Sequence, residues 1–385
     1  MKRSQGRTLT THTGSLPRPD DLLELLWDKE DGQPGAGQKF RDRLPSAVSE
    51  AVRLQAAAGI DVPSDGELGK TSFYNYVTSR VDGFEVVGSG GSTIPPDPDF
   101  PGYQAWRTAN RPAAGRQAFG RQTVCVGPLA VRDSLSLERD IANFKAALAE
   151  ASFEEAFMPC ASVGIVAQRV ANRYYPTYEV YVEAIAEVMK LEYHAIADAG
   201  LLIQIDAPEM CIDRSRYFLD QPFSEFQKRA ELWVEALNHA LTGIPEEQVR
   251  YHVCWGNNEA PHQRDVGLGE IAELMLKVHA AAYSVEAANP RHGHEWKVWK
   301  DVKLPEGKVL IPGVIDSVTN FVEHPELVAD RIVTFANVVG RENVIAGTDC
   351  GFGTSAGSAN VYPPIVWAKL KSLAQGAELA SKQLW

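Results

Sequence analysis

Residues 177–209 read TYEVYVEAIAEVMKLEYHAIADAGLLIQIDAPE, and this stretch decides the fold. Apolar residues recur at helical spacing from Thr177 to Ala199, an Ala-Gly pair closes the helix, and Leu201–Asp206 follows as a short apolar strand. The strand ends in a polar cluster, DAPE. On both sides of it short apolar runs alternate with longer amphipathic stretches. Candidate strands are Leu9–Thr13, Ile60–Ser64, Thr123–Gly127, Leu201–Asp206, Val249–Cys254, Ala282–Glu286, Val309–Ile315 and Asn343–Ala346. Between them lie helical patterns at Pro45–Ala58, Thr177–Ala199, Phe223–Leu241, Leu268–Ala281 and Pro325–Val339. Strands alternating with helices in this way predict an α/β fold closed as a parallel (βα)8 TIM barrel rather than an open sheet. The run Gly88–Gly102, GSGGSTIPPDPDFPG, is too rich in Gly and Pro for either element and reads as an inserted loop. No internal repeat and no linker divides the chain, so residues 1–385 are expected to form one catalytic barrel.

Composition bounds the partners. With 44% hydrophobic and 23% charged residues the chain can bury a sizeable core. Its net charge of −12, with no basic cluster longer than two, argues against nucleic acid and against an anionic membrane surface. A small-molecule partner is expected. MKRSQGRTLTT carries positive charge without an apolar stretch behind it, and no later segment approaches the ~20 apolar residues of a membrane span, so a cytoplasmic location is the expectation. The five cysteines are scattered, unlike the dense even set of a secreted scaffold, and fit reduced thiols, some of them metal ligands.

The chemistry lies at the strand ends. HTGS, SDGE, DAPE, HVC, VEA, IDS and TDCG each follow or end a candidate strand, and in such a barrel the C-terminal strand ends converge on one mouth. His252 and Cys254, two residues apart in a strand, point to the same side and can grip one ion. Zinc favours this N/S ligation, while an H-x-C triplet alone reads as readily as a chance pair. Cys350 offers a second thiolate or a small buried side chain. Glu286 offers a carboxylate or a solvated loop end. As a set, His252, Cys254, Glu286 and Cys350 suit a Zn2+ that exchanges one ligand during turnover and makes a thiolate of a substrate thiol.

Glu67 and Asp206 end two other strands and suit a substrate ammonium group or proton transfer, with ion pairs to Lys70 or Arg80 as the structural alternative. Ser15, within His12-Thr13-Gly14-Ser15, suits an anion held by exposed backbone N–H groups, or sits in a plain turn. Trp106, Phe119, Tyr174, Tyr175, Trp255 and Trp296 are available either to shape an apolar donor pocket or to pack the core.

Taken in order, TTHTGSLPRP, SDGELGK, LLIQIDAPE, YHVCWGNNEAPH, SVEAANPRH, PGVID and AGTDCGFG resemble the catalytic half of cobalamin-independent methionine synthase. In style they are closest to its shorter relatives, which include epoxyalkane:coenzyme M transferase. The resemblance spans most of the chain and implies a barrel of the uroporphyrinogen decarboxylase and methionine synthase type. It implies zinc held by His252, Cys254, Glu286 and Cys350. It further implies that Glu67 and Asp206 meet a homocysteine ammonium, and that the Ser15 segment meets its carboxylate. One departure is chemical. Methionine synthases have a His two residues after the Asp of the seventh-strand motif, and this chain reads Asp316-Ser317-Val318. Val318 donates no proton, which argues against a folate amine as leaving group. His262, Arg291, His292 and His324 remain as candidate acids.

The leading expectation is therefore a zinc-dependent thiol S-alkyltransferase of the epoxyalkane:coenzyme M transferase kind, joining a small-molecule thiol to an alkyl or methyl donor. The alternative is methyl transfer to homocysteine from a folate or another donor. A metal-free decarboxylase on the same barrel would not need His252, Cys254 and Cys350 together, and a purely structural zinc protein would turn over no thiol. The oligomeric state is left open.

Overall fold

The computed structural model describes residues 1–89, 97–110 and 121–385. Its strands are β1 (Leu9–Thr10), β2 (Val81–Ser89), β3 (Arg121–Val131), β4 (Phe157–Ala161), β5 (Ala171–Asn172), β6 (Leu202–Asp206), β7 (Val249–Val253), β8 (Ala282–Val285), β9 (Val309–Ile315) and β10 (Ile345–Thr348). Seven of them form one sheet in the order β1-β10-β9-β8-β7-β6-β4, every pair parallel. The two open edges meet through residues 62–64: Thr11 bridges Val62 and Ser64 bridges Phe157, both in parallel. The ring is thus closed at eight positions, as a (βα)8 barrel.

Burial explains why the strands read as unbroken apolar runs: β4, β6, β7, β8, β9 and β10 are buried at every residue. One face meets the outer helices and the other the barrel interior. The stretch 177–209 is one such unit. Thr177 accepts a hydrogen bond from the backbone N–H of Val180 and starts the helix Tyr178–Asp198. Gly200, at φ +80°, then turns the chain directly into β6. The interior also holds a charge. Arg250, on β7, donates to Thr11 Oγ1 and to the His12 carbonyl at 3.0 and 3.1 Å and lies over the Phe157 ring, while burial pushes its guanidinium down to about 9.

Three expectations are corrected here. Thr123–Gly127 is no barrel strand. It lies inside β3, which pairs antiparallel with β2 and parallel with β5 in a separate three-stranded sheet. The third barrel position belongs to β4, whose run FMPCA was too short and too ambiguous to stand out. The loop expected at Gly88–Gly102 is strand at Gly88 and Ser89, because the hairpin partner supplies hydrogen bonds that composition cannot foresee; residues 90–96 lie outside the described residues. The helix expected over Leu268–Ala281 stops at Met275. No helix among the described residues is long and apolar enough to cross a membrane.

Candidate metal centre and substrate site

His252, Cys254 and Cys350 meet at the C-terminal mouth, their ligand atoms all within 4.8 Å of one another. His252 lies on β7, Cys254 directly after it and Cys350 in the turn after β10, and each is buried. Cys350 Sγ lies 3.8 Å from His252 Nε2 and 3.6 Å from Glu286 Oε1, so the fourth expected ligand faces the same cluster. Two soft sulfurs, an imidazole and a carboxylate within this span form a donor set that fits zinc. Cys254 is held well below the usual thiol range, chiefly because Cys350 donates to it and next to it stands His252; Cys350, as the donor, is pushed up. Burial drives Glu286 up, with the Cys254 charge adding to it. A divalent cation relieves all of these at once by replacing protons.

The groups behind the ligands were not legible beforehand. In the β7–β8 register His252 faces Ser284, whose Oγ lies 3.1 Å from His252 Nδ1. With that nitrogen engaged, Nε2 is turned to the cluster. Glu286 Oε1 accepts from the backbone N–H of Trp255 at 2.9 Å and Oε2 from Asn289 Nδ2 at 2.8 Å. Asp349, next to Cys350, accepts from the backbone N–H groups of Ala287, Ala288 and Asn289, each at 2.8 Å. It thereby clamps the turn after β8. Gly313 makes the room: a Cβ there would fall 2.1 Å from Asp349 Oδ1 and 2.8 Å from its backbone N. Gly313→Ala is expected to displace Asp349 and with it Cys350, lowering the melting temperature and the metal affinity together, as a melt and a chelator competition would report. Ser284→Ala is expected to weaken metal binding by about tenfold without loss of fold, read in the same competition.

Glu67 and Asp206 are both buried. Asp206 pairs in register with His252 across β6 and β7, one strand from the metal ligands. Burial pushes Glu67 up to about 7, against the pull of Lys70, and pushes Asp206 well up, with the Glu67 charge adding to it. Gln204 Nε2 donates to Asp206 Oδ1 at 2.9 Å. Of the two suggested ion-pair partners, Lys70 stands 4.0 Å from Glu67 and donates to the Pro159 carbonyl, whereas Arg80 pairs with Glu192. Glu67 holds φ +54°, an uncommon conformation for a side-chain-bearing residue, with its N–H turned to Asp65 Oδ1 at 3.1 Å. Arg18 ties this segment to the last strand end by donating to the carbonyls of Glu67, Lys70 and Gly353.

Ser15 lies between these parts: its carbonyl accepts from Phe352 N–H at 2.8 Å and its Oγ from Gly353 N–H at 3.3 Å. Its neighbour His12 is structural, with Nε2 against Gln55 Oε1 and Nδ1 accepting from Gly14 N–H; burial lowers it to about 4. Of the candidate acids, His324 caps the helix Pro325–Val339, and Arg291 is exposed and donates to the Gln263 carbonyl. His262 and His292 converge on Asp265. Asp316 accepts from the N–H groups of Val318 and Thr319, so the turn bearing Val318 is closed on itself. Among the aromatics, Trp106 and Tyr174 are exposed, Tyr175 accepts from Leu129 N–H, Trp296 lies under Lys300, and Trp255 is buried next to Cys254. Phe119 lies outside the described residues.

Comparison with known proteins places the chain in a family and a fold. A family model described as "Cobalamin-independent synthase, Catalytic domain" matches residues 165–366, more than half of the chain. Among curated proteins, the chain is 24% identical to a methionine synthase of Thermococcus kodakarensis, over 97% of this chain and 94% of that one. It is 23% identical to a methionine synthase of Saccharolobus solfataricus, over 97% and 95%. Among solved structures, the B12-independent methionine synthase of a Shewanella species, in complex with selenomethionine, superposes with a TM-score of 0.72. That likeness, at 19% identity, covers 98% of this chain and 99% of that one, and it bears on the fold.

Proposed function

The chain belongs to the family of cobalamin-independent synthase catalytic domains, and from that premise we propose that it is a zinc-dependent methyltransferase acting on the sulfur of homocysteine, with residues 1–385 as one catalytic barrel. The observation that carries the choice of thiol is the buried carboxylate pair Glu67 and Asp206, the second of them one strand from His252. Two buried carboxylates favour a cation, and even with Lys70, Arg18 and Arg250 acting on them burial pushes both upward. An amino-acid thiol brings an ammonium group to them, and coenzyme M, a sulfonate, brings none. The curated relatives, named methionine synthases along nearly their whole length, support the same preference over the epoxyalkane:coenzyme M reading.

His252, Cys254, Glu286 and Cys350 are the residues that would hold zinc, which supplies the Lewis acidity that keeps a substrate sulfur deprotonated at neutral pH. Glu67 and Asp206 accept hydrogen bonds from the ammonium, and its charge replaces the proton that burial otherwise forces on them. The Ser15 segment receives the carboxylate. With both ends held, the two methylenes of homocysteine carry the sulfur toward the cysteine cluster, and orientation converts a bimolecular encounter into a near-unimolecular one. The sulfur lone pair forms the S–C bond as the bond from methyl to leaving group breaks, and no side chain of the protein becomes covalently attached.

Val318 favours a donor whose leaving group departs without a proton from that turn. Turnover decides the matter. Homocysteine is assayed with 5-methyltetrahydrofolate and with a methylsulfonium donor, and coenzyme M with epoxypropane. Methionine formation with either methyl donor supports the proposal; alkylation of coenzyme M alone overturns it.

A further inference from the structure

His292 stands behind the cluster rather than in it. It is 3% exposed, and its two ring nitrogens face acceptors alone: Nδ1 lies 2.9 Å from Glu295 Oε2 and Nε2 3.1 Å from Asp265 Oδ2. A neutral imidazole carries one N–H and would set a lone pair against one of those oxygens, so the imidazolium, which donates at both nitrogens, suits this geometry. Burial opposes that charge, but Asp265 and Glu295 outweigh it and hold the ring above the ordinary histidine range. His262 reaches the same Asp265 oxygen with its Nδ1 at 2.8 Å.

Two paths run from this residue to Glu286. In the first, the ring stacks on the Trp255 indole at 3.9 Å between centroids and 22° between planes. The backbone N–H of Trp255 donates to Glu286 Oε1, and its Nε1 donates to the Val266 carbonyl at 2.7 Å. In the second, the backbone N–H of His292 donates to Asn289 Oδ1 at 3.1 Å, and Asn289 Nδ2 donates to Glu286 Oε2. The first path passes through the His292 ring; the second uses only its backbone N–H, and Asn289 is also held by the Arg291 N–H and by Asp349, so the side chain acts through Trp255. Glu286 is the hard oxygen donor among softer ligands, and its place depends most on such support.

We propose that His292 is a positioning residue for the metal centre, clamping Trp255 so that Glu286 presents one oxygen to the cysteine cluster. This rests on the zinc reading above. In a competition between the protein and a chromophoric chelator for zinc, His292→Gln is expected to lower affinity 10- to 100-fold, as loss of outer support does elsewhere. His292→Arg, planar, charged and able to donate to both carboxylates, is expected to recover affinity to within about threefold of wild type.

A second readout needs no metal. A stacked imidazolium quenches indole emission, so wild-type fluorescence is expected to rise as pH climbs above the usual histidine range and the ring loses its proton. The rise should be absent in His292→Gln and in Trp255→Phe. Wild-type zinc binding with unchanged affinity in a folded His292→Gln overturns the positioning role alone. A wild type that binds no zinc overturns the zinc reading and this role with it. Should His292→Gln fail to fold, a flat wild-type fluorescence titration overturns the proposal.

Discussion

Cys254→Ser and Cys350→Ser, made singly, are expected to leave the protein folded and nearly free of zinc, with methyl transfer to homocysteine reduced on the order of 10³-fold or more. A lost outer-shell partner costs about 10- to 100-fold, and a lost thiolate removes the stronger contact itself. The effect is large for a reason particular to this cluster. Side by side and buried, Cys254 is held well below the usual thiol range and Cys350 is pushed above it. Either substitution replaces a soft donor with a hydroxyl that keeps its proton at neutral pH, so a site balanced for a dication loses a negative charge as well as a bond. Metal analysis and the turnover assay, run on the same preparations, check this. Retention of zinc and activity in either variant would remove that cysteine from the site.

Glu67→Gln and Asp206→Asn are expected to act on a different axis. Zinc content should stay at the wild-type level while kcat/KM for homocysteine falls about 10- to 100-fold, since a hydrogen bond to a charged group contributes about 1.5–3 kcal/mol. The pH dependence carries the diagnostic sign. Burial raises Glu67 to about 7, so in the free protein its neutral form is favoured at low pH. The stability this contributes is full below the usual carboxylate range and is lost as pH rises through about 7. An ammonium ligand reverses the preference, because it binds the ionised form. Methionine, which has the same ammonium and carboxylate but no thiol to titrate, is expected to bind more tightly as pH rises through about 7, and Glu67→Gln should flatten that rise. Calorimetry at pH 5.5 to 8 reads it directly. A profile unchanged by the substitution would place the ammonium elsewhere.

Much of the fold was legible because strands buried on both faces announce themselves as apolar runs, and β6, β7 and β9 were bounded to within a residue or two. The misplacement of Thr123–Gly127 has a physical origin. A strand of an accessory hairpin and a strand of the barrel have the same local composition, and the difference lies in the partner, which for β3 is β2 and β5. The second barrel position, residues 62–64, pairs so briefly that its role is visible only from the bridges on either side. At the site, the side chains that meet in the cluster were readable from residue type and position at a strand end. Their supports were not. Ser284 becomes visible only once the β7–β8 register is known, and Asn289 and Asp349 act through a turn whose shape depends on contacts from a distant strand end. His292 looked like one of four candidate acids, and its enclosure by Asp265, Glu295 and Trp255 is what gives it another role.

Zinc-edge X-ray absorption on the zinc-loaded protein, alone and with homocysteine or coenzyme M added separately, tests the thiol and the metal in one experiment. Homocysteine is expected to add one sulfur to the zinc shell, and coenzyme M to leave it unchanged. A shell altered by coenzyme M alone, or by neither thiol, would contradict methyl transfer to homocysteine at this centre.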